Sequence, residues 1–130
     1  MTEEITTDKS SADATIQLVV RFNDALNDHN VDRMMQLMTE DCVFENTDPA
    51  PDGRRYEGQP AVRAFWEDFM RTSREPRIEI EEIVALGERC MMRWTYSWLD
   101  AQGSPGHIRG VDVYKVRRGL IAEKLSYVKG

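Results

Sequence analysis

The chain has 130 residues, 41% of them apolar and 31% charged, which fits one globular domain built on one core. Its formal net charge of −6 argues against nucleic acid as a main partner, because phosphate binding asks for a net basic surface or a strong basic stripe. No run approaches the roughly 18 to 20 apolar residues that span a bilayer, so no membrane partner is expected either.

The first ten residues, "MTEEITTDKS", are polar and acidic and lack the basic and apolar regions of a secretory signal. They read as a flexible acidic tail ahead of a domain over 11–130, and the compartment expected is the cytoplasm. Three-four spacing then predicts a helix over 11–28, through Ile16, Val19, Val20, Asn23 and Leu26, with Leu18, Phe22 and Ala25 widening its apolar face. Asn30 fits the cap of a short second helix through "VDRMMQLM", and "DCVFEN" reads as a strand. The stretch "TDPAPDGRRYEG" is a loop by its Pro, Asp and Gly content. Pro60 fits the first turn of a third helix, whose Val62, Phe65, Trp66, Phe69 and Met70 form one stripe.

From Arg77 on the period changes to two. "RIEIEEIVALG", "ERCMMRWTYSWLDA" and "HIRGVDVYKV" read as three strands, "RRG" as a tight turn, and "LIAEKLSYVKG" as the last strand. Helices segregated from a run of strands give an α+β layer fold. The architecture expected is a cone-shaped single domain, three N-terminal helices packed on a curved, mostly antiparallel sheet, and its apolar hollow is the place for a small molecule. A broad sheet with apolar residues on both faces, at Val111 and Val113, calls for a homodimer through the sheet.

Several residues stand out as site candidates. Asp112 sits mid-strand, where Asp is disfavoured. Alternation puts it on a mostly apolar face with Ile108, Gly110, Tyr114 and Val116, so it is either a pocket-lining carboxylate or a structural one, paired with an arginine or exposed at an edge. Tyr114 shares that face and can donate a hydrogen bond. Arg93, on the neighbouring strand, is either a pocket cation or an exposed sheet arginine. If Trp94, Tyr96 and Trp98 line the hollow, Arg93 points away from it. Asn46 is a ligand contact or the start of a turn, and Tyr56 belongs to a loop over the mouth of the hollow. Cys42 and Cys90 read as reduced packing residues. His29 and His107 lack ligand-spaced partners, so no metal is expected.

The order of elements, with "FNDALNDHNVDRMMQLMTEDCVFEN", "YEGQPAVRAFW" and "RGVDVYKVRRGLIAEKLSYV", resembles the SnoaL-like proteins of the nuclear transport factor two-like superfamily. The resemblance implies the cone fold and a spread of activities, from isomerases, cyclases, dehydratases and epoxide hydrolases to proteins with no catalysis. It puts Asp112 where ketosteroid isomerase keeps a protonated aspartic acid and where SnoaL-like cyclases keep an acid/base. The isomerase's tyrosine and carboxylate base fall on Phe22 and Asn46. Limonene epoxide hydrolase matches at Asn46 and Arg93, but its water-holding tyrosine falls on Phe44 and its catalytic carboxylates on Thr95 and Ser126.

Three functional readings follow. The first is a cofactor-independent enzyme acting on a hydrophobic small molecule by general acid/base chemistry, with Asp112 catalytic and Arg93, Asn46, Tyr114, Tyr56 and Trp94 around the substrate. The second is a non-catalytic ligand-binding or dimerising module. The third is an epoxide hydrolase.

Overall fold

The computed structural model describes the backbone of residues 2–130 and the side chains from residue 11 onward. In chain order the elements are α1 (Thr2–Asn27), α2 (Val31–Gln36), β1 (Met38–Glu45), β2 (Arg55–Glu57), α3 (Gln59–Thr72), β3 (Arg77–Leu86), β4 (Arg89–Leu99), β5 (Pro105–Arg117) and β6 (Leu120–Val128). α1 starts at Thr2 and so includes the stretch read as a tail, but the side chains of residues 1–10 lie outside the described residues.

α1 buries Thr15, Leu18, Val19, Phe22, Asn23, Ala25 and Leu26. That stripe is turned slightly from the expected one: Thr15 is buried, while Ile16 and Val20 are only partly covered. The Thr15 hydroxyl donates to the Gly87 carbonyl at 2.9 Å, which ties the helix to the β3–β4 turn. Asn27 both donates to the Ile78 carbonyl (2.8 Å) and accepts from the Ile78 N–H (2.8 Å), and Asn23 adds a bond to the same carbonyl (3.0 Å). These amides satisfy backbone groups of an edge strand, which would otherwise be costly to bury. Asn30 caps α2 as its position predicted, its Oδ1 accepting from the Arg33 N–H at 3.0 Å.

One six-stranded open sheet holds the strands in the order β2-β1-β6-β5-β4-β3. Every neighbouring pair is antiparallel except β1 with β6, which is parallel. β2 is a strand where the sequence reads as loop, because the flanking Pro, Asp and Gly mask a three-residue pairing of Tyr56 opposite Phe44. α1 packs against β3 and β4, and α3 against β1 and β2. Their apolar stripes and one face of the sheet make a single core, from Leu18 and Phe22 through Met34, Phe44 and Trp66 to Met92 and Tyr114.

The β5–β6 hairpin decides which side chains of β6 face inward. Its turn places Arg118 (φ 53°) and Gly119 (φ 77°) in the left-handed region, as a two-residue hairpin of the right twist requires. Next to the turn Val116 pairs with Ile121, but one step on Lys115 pairs with Glu123. The extra residue is a β-bulge, and Ile121 and Ala122 are consecutively buried there. Past it, β6 is shifted by one residue, so Lys124 and Ser126 fall on the inner face beside Asp112. No described helix is long and apolar enough to cross a membrane.

Candidate functional site

A cavity of about 240 Å³ opens between α3 and the inner face of the sheet. Its walls are largely aromatic and aliphatic: Phe44 from β1, Phe65, Trp66 and Phe69 from α3, Ile78 from β3, Trp94 and Tyr96 from β4, and Ile108 from β5. Phe44 stacks on Trp66 with ring centroids 5.0 Å apart, and Phe65 meets both, so the wall is one connected aromatic cluster. Trp94 faces Gly110 across the β4–β5 ladder. A Cβ at Gly110 would stand 2.6 Å from the Trp94 ring and 2.3 Å from the Tyr127 carbonyl, so only glycine lets the indole lie over β5.

Into this wall the sheet sets a small set of polar groups: Asp112, Lys124, Ser126 and Asn46, with Thr47 and Asp48 on the adjoining loop. Asp112 is 1% exposed and Lys124 3%. Lys124 Nζ lies 2.9 Å from Asp112 Oδ2 and donates to Ser126 Oγ at 3.3 Å. Tyr114 donates its hydroxyl to the same Oδ2 at 3.2 Å. The ammonium also sits over the faces of Phe44 (4.8 Å), Trp66 (5.4 Å) and Tyr114 (5.9 Å). Asp112 Oδ1, by contrast, is buried with no protein partner, as are the indole nitrogens of Trp66 and Trp94.

Burial, reinforced by the Asp112 charge and hydrogen bond, pushes the Tyr114 phenol well above its ordinary range, so Tyr114 stays a neutral donor to the carboxylate. Burial, with the same charge second, pushes the neighbouring Cys90 thiol up to about 11. Cys90 and Cys42 are both free and buried, as packing residues should be.

The expected site residues divide cleanly. Asp112, Asn46 and Trp94 line the one cavity. Tyr114 stands behind it, bonded to Asp112 rather than lining the cavity. Tyr56 is a β2 residue packed on Phe44 and Phe65, not a loop residue over the mouth. Arg93 is on the opposite face of the sheet, where it bonds Glu82 at 2.9 Å and Glu81 at 3.4 Å. With Trp94 facing the cavity, alternation sends Arg93 outward. Thr95 shares that outer face and donates to Glu81 at 2.7 Å. Lys124 is the residue that sequence reading missed. An unbulged hairpin would put Lys124 opposite Val113, on the outside, and only the extra residue at Ala122 reverses this.

A SnoaL-like domain is matched over residues 19–124. The chain belongs to that family. A structure of an NTF2-like protein of unknown function from Mesorhizobium loti is 37% identical and superposes with a TM-score of 0.77, over 92% of this chain and 93% of that one. A putative polyketide cyclase from Xanthomonas campestris is 22% identical (TM-score 0.76; 92% and 93% covered). An epoxide hydrolase of the LEH-like type from Mycobacterium tuberculosis is 19% identical (TM-score 0.76; 91% and 84% covered). The last two likenesses show the SnoaL-like chain's fold and not its reaction. No curated protein matches the sequence.

Proposed function

We propose that this SnoaL-like chain is a cofactor-independent enzyme that moves a proton on a hydrophobic small molecule, in a reaction of the isomerase, cyclase or dehydratase type. The observation that carries the reading is the divided carboxylate of Asp112. One oxygen is held by Lys124 and Tyr114, and the other is buried without a partner on a residue lining an apolar cavity. A buried acceptor left unpaired costs about 1–3 kcal/mol, a cost removed when a ligand proton meets it. A carboxylate fixed in orientation, with one oxygen free, is a general base that returns its proton as a general acid.

In this reading Oδ1 takes the proton from a carbon next to a carbonyl and delivers it to a second atom of the same molecule. Tyr114 and Lys124 hold the carboxylate still, and Asn46 and Ser126 orient the carbonyl oxygen. Trp66, Trp94 and Phe65 exclude water and select an apolar skeleton. The second reading, a binding module, draws on Phe22 and Asn46 standing where the isomerase keeps its tyrosine and its base. Epoxide hydrolysis by an Asp–Arg–Asp set has little support, since Arg93 and Thr95 lie on the outer face.

A panel of hydrophobic ketones, enones and hydroxyketones, assayed with wild type and Asp112→Asn, tests the reading. Binding is followed by quenching of tryptophan fluorescence from Trp66 and Trp94. Turnover by wild type, with binding kept and turnover lost in Asp112→Asn, is the expected result. Tight binding with no turnover by wild type establishes the module instead. The outer face, with Val111, Val113 and Leu125 half-buried and Tyr127 exposed, supports the homodimer through the sheet. Sedimentation of Val111→Asp as a monomer, against a dimeric wild type, checks that part.

A further inference from the structure

We propose that Lys124 is a covalent carbonyl-binding residue, forming an imine with hydrophobic aldehydes or ketones that enter the aromatic cavity. This rests on the proton-transfer reading of the same site and names its substrate class.

Lys124 is a buried amine that lines a largely aromatic cavity. Its two polar contacts are Asp112 Oδ2 and Ser126 Oγ. A buried ion pair is a poor device for stabilising a sheet, since apolar residues of like volume commonly serve as well or better. The pair therefore calls for another explanation. Amines in hydrophobic pockets are suited to nucleophilic attack on carbonyls when a proton carrier adjoins them, and Asp112 adjoins this one at 2.9 Å.

The step balances within the site. A proton passes from Nζ to Asp112, giving a neutral amine beside a neutral acid. The amine lone pair forms the C–N bond as the carbonyl π pair moves to oxygen, which takes the proton from Asp112. Asp112 then accepts a proton from nitrogen and returns it to the hydroxyl, which leaves as water. The products are a protonated C=N bond on Lys124, a carboxylate on Asp112 and one water. The free Oδ1 then stands ready to take the α-proton, with the cationic C=N bond as the electron sink.

The full chain is incubated with benzaldehyde and cyanoborohydride at neutral pH, and the reduced adduct is mapped among the four lysines, Lys9, Lys115, Lys124 and Lys129. Lys115 and Lys129 are exposed to solvent, whereas Lys124 is buried against the Asp112 carboxylate. The expected result is an N-benzyl group on Lys124 ahead of the other three, with that preference lost in Asp112→Asn. Labelling of Lys115 or Lys129 as fast as Lys124, or a Lys124 preference unchanged in Asp112→Asn, overturns the proposal. Ranking lysines within one wild-type chain needs no variant to fold. An absent adduct alongside Asp112-dependent turnover would overturn the imine and leave the proton-transfer reading standing.

Discussion

The inner and outer faces of β4, β5 and their neighbours each carry acids beside bases, and the two sets differ in almost every physical respect. Outside, Glu81 accepts from Arg109 at 2.6 and 3.0 Å, from Arg93 at 3.4 Å and from Thr95 at 2.7 Å, all within reach of solvent. The Arg109 and Thr95 hydrogen bonds hold its carboxyl down to about 2. Inside, buried Asp112 meets one lysine in an aromatic wall and keeps an oxygen unpaired. The outer network is saturated and screened by salt, so it serves surface cohesion. The inner pair is unsaturated and desolvated, the arrangement of a group that waits for a partner.

Breaking each set shows the contrast, beginning with the largest effect. Lys124→Met strands a buried carboxylate and should cost about 3–5 kcal/mol in urea unfolding. Adding Asp112→Leu to it should recover most of that loss while leaving the cavity inert, which separates the pair's chemical role from any stabilising one. Gly110→Ala should cost about 1–3 kcal/mol by the same titration, because the added methyl meets the Trp94 ring and a backbone carbonyl. Its ligand binding should weaken in parallel, since Trp94 is a wall of the cavity.

The two faces should also separate by pH. The Cys90 thiol is raised by burial from about 9 to about 11, so its contribution is present below pH 9 and is lost as pH rises through about 11. That alkaline loss should be insensitive to salt. The Glu81 carboxyl is lowered from 4.5 to about 2, so its contribution is present above pH 4.5 and is lost as pH falls through about 2. Being exposed, it should be the smallest effect of all and should shrink further in high salt. Denaturation midpoints across pH at low and high ionic strength check both.

Much of this arrangement was legible in the sequence. Period-two alternation through "HIRGVDVYKV" places Asp112 inward, and the ladder of Trp94, Tyr96 and Trp98 competes with Arg93 for the same face. The aromatic ladder prevails because burying indole and phenol rings is favourable and burying an unpaired guanidinium is not. Two features were hidden. β2 is too short, and too closely flanked by turn residues, to show a period. The inward course of Lys124 depends on one inserted residue at Ala122, and a single-residue shift of register reverses every side chain beyond it. Half of the buried pair was thus readable from alternation alone, and the other half only once pairing was known.

Hydrogen exchange into a hydrophobic methyl ketone tests the central claim most directly. Benzylacetone is incubated with the protein in heavy water, and loss of its α-proton signals is followed by NMR. Asp112 as the working base predicts exchange well above the buffer rate for wild type and for Arg93→Ala, and exchange at the buffer rate for Asp112→Asn. Exchange by Asp112→Asn as fast as by wild type, or no wild-type exchange above buffer, would contradict it.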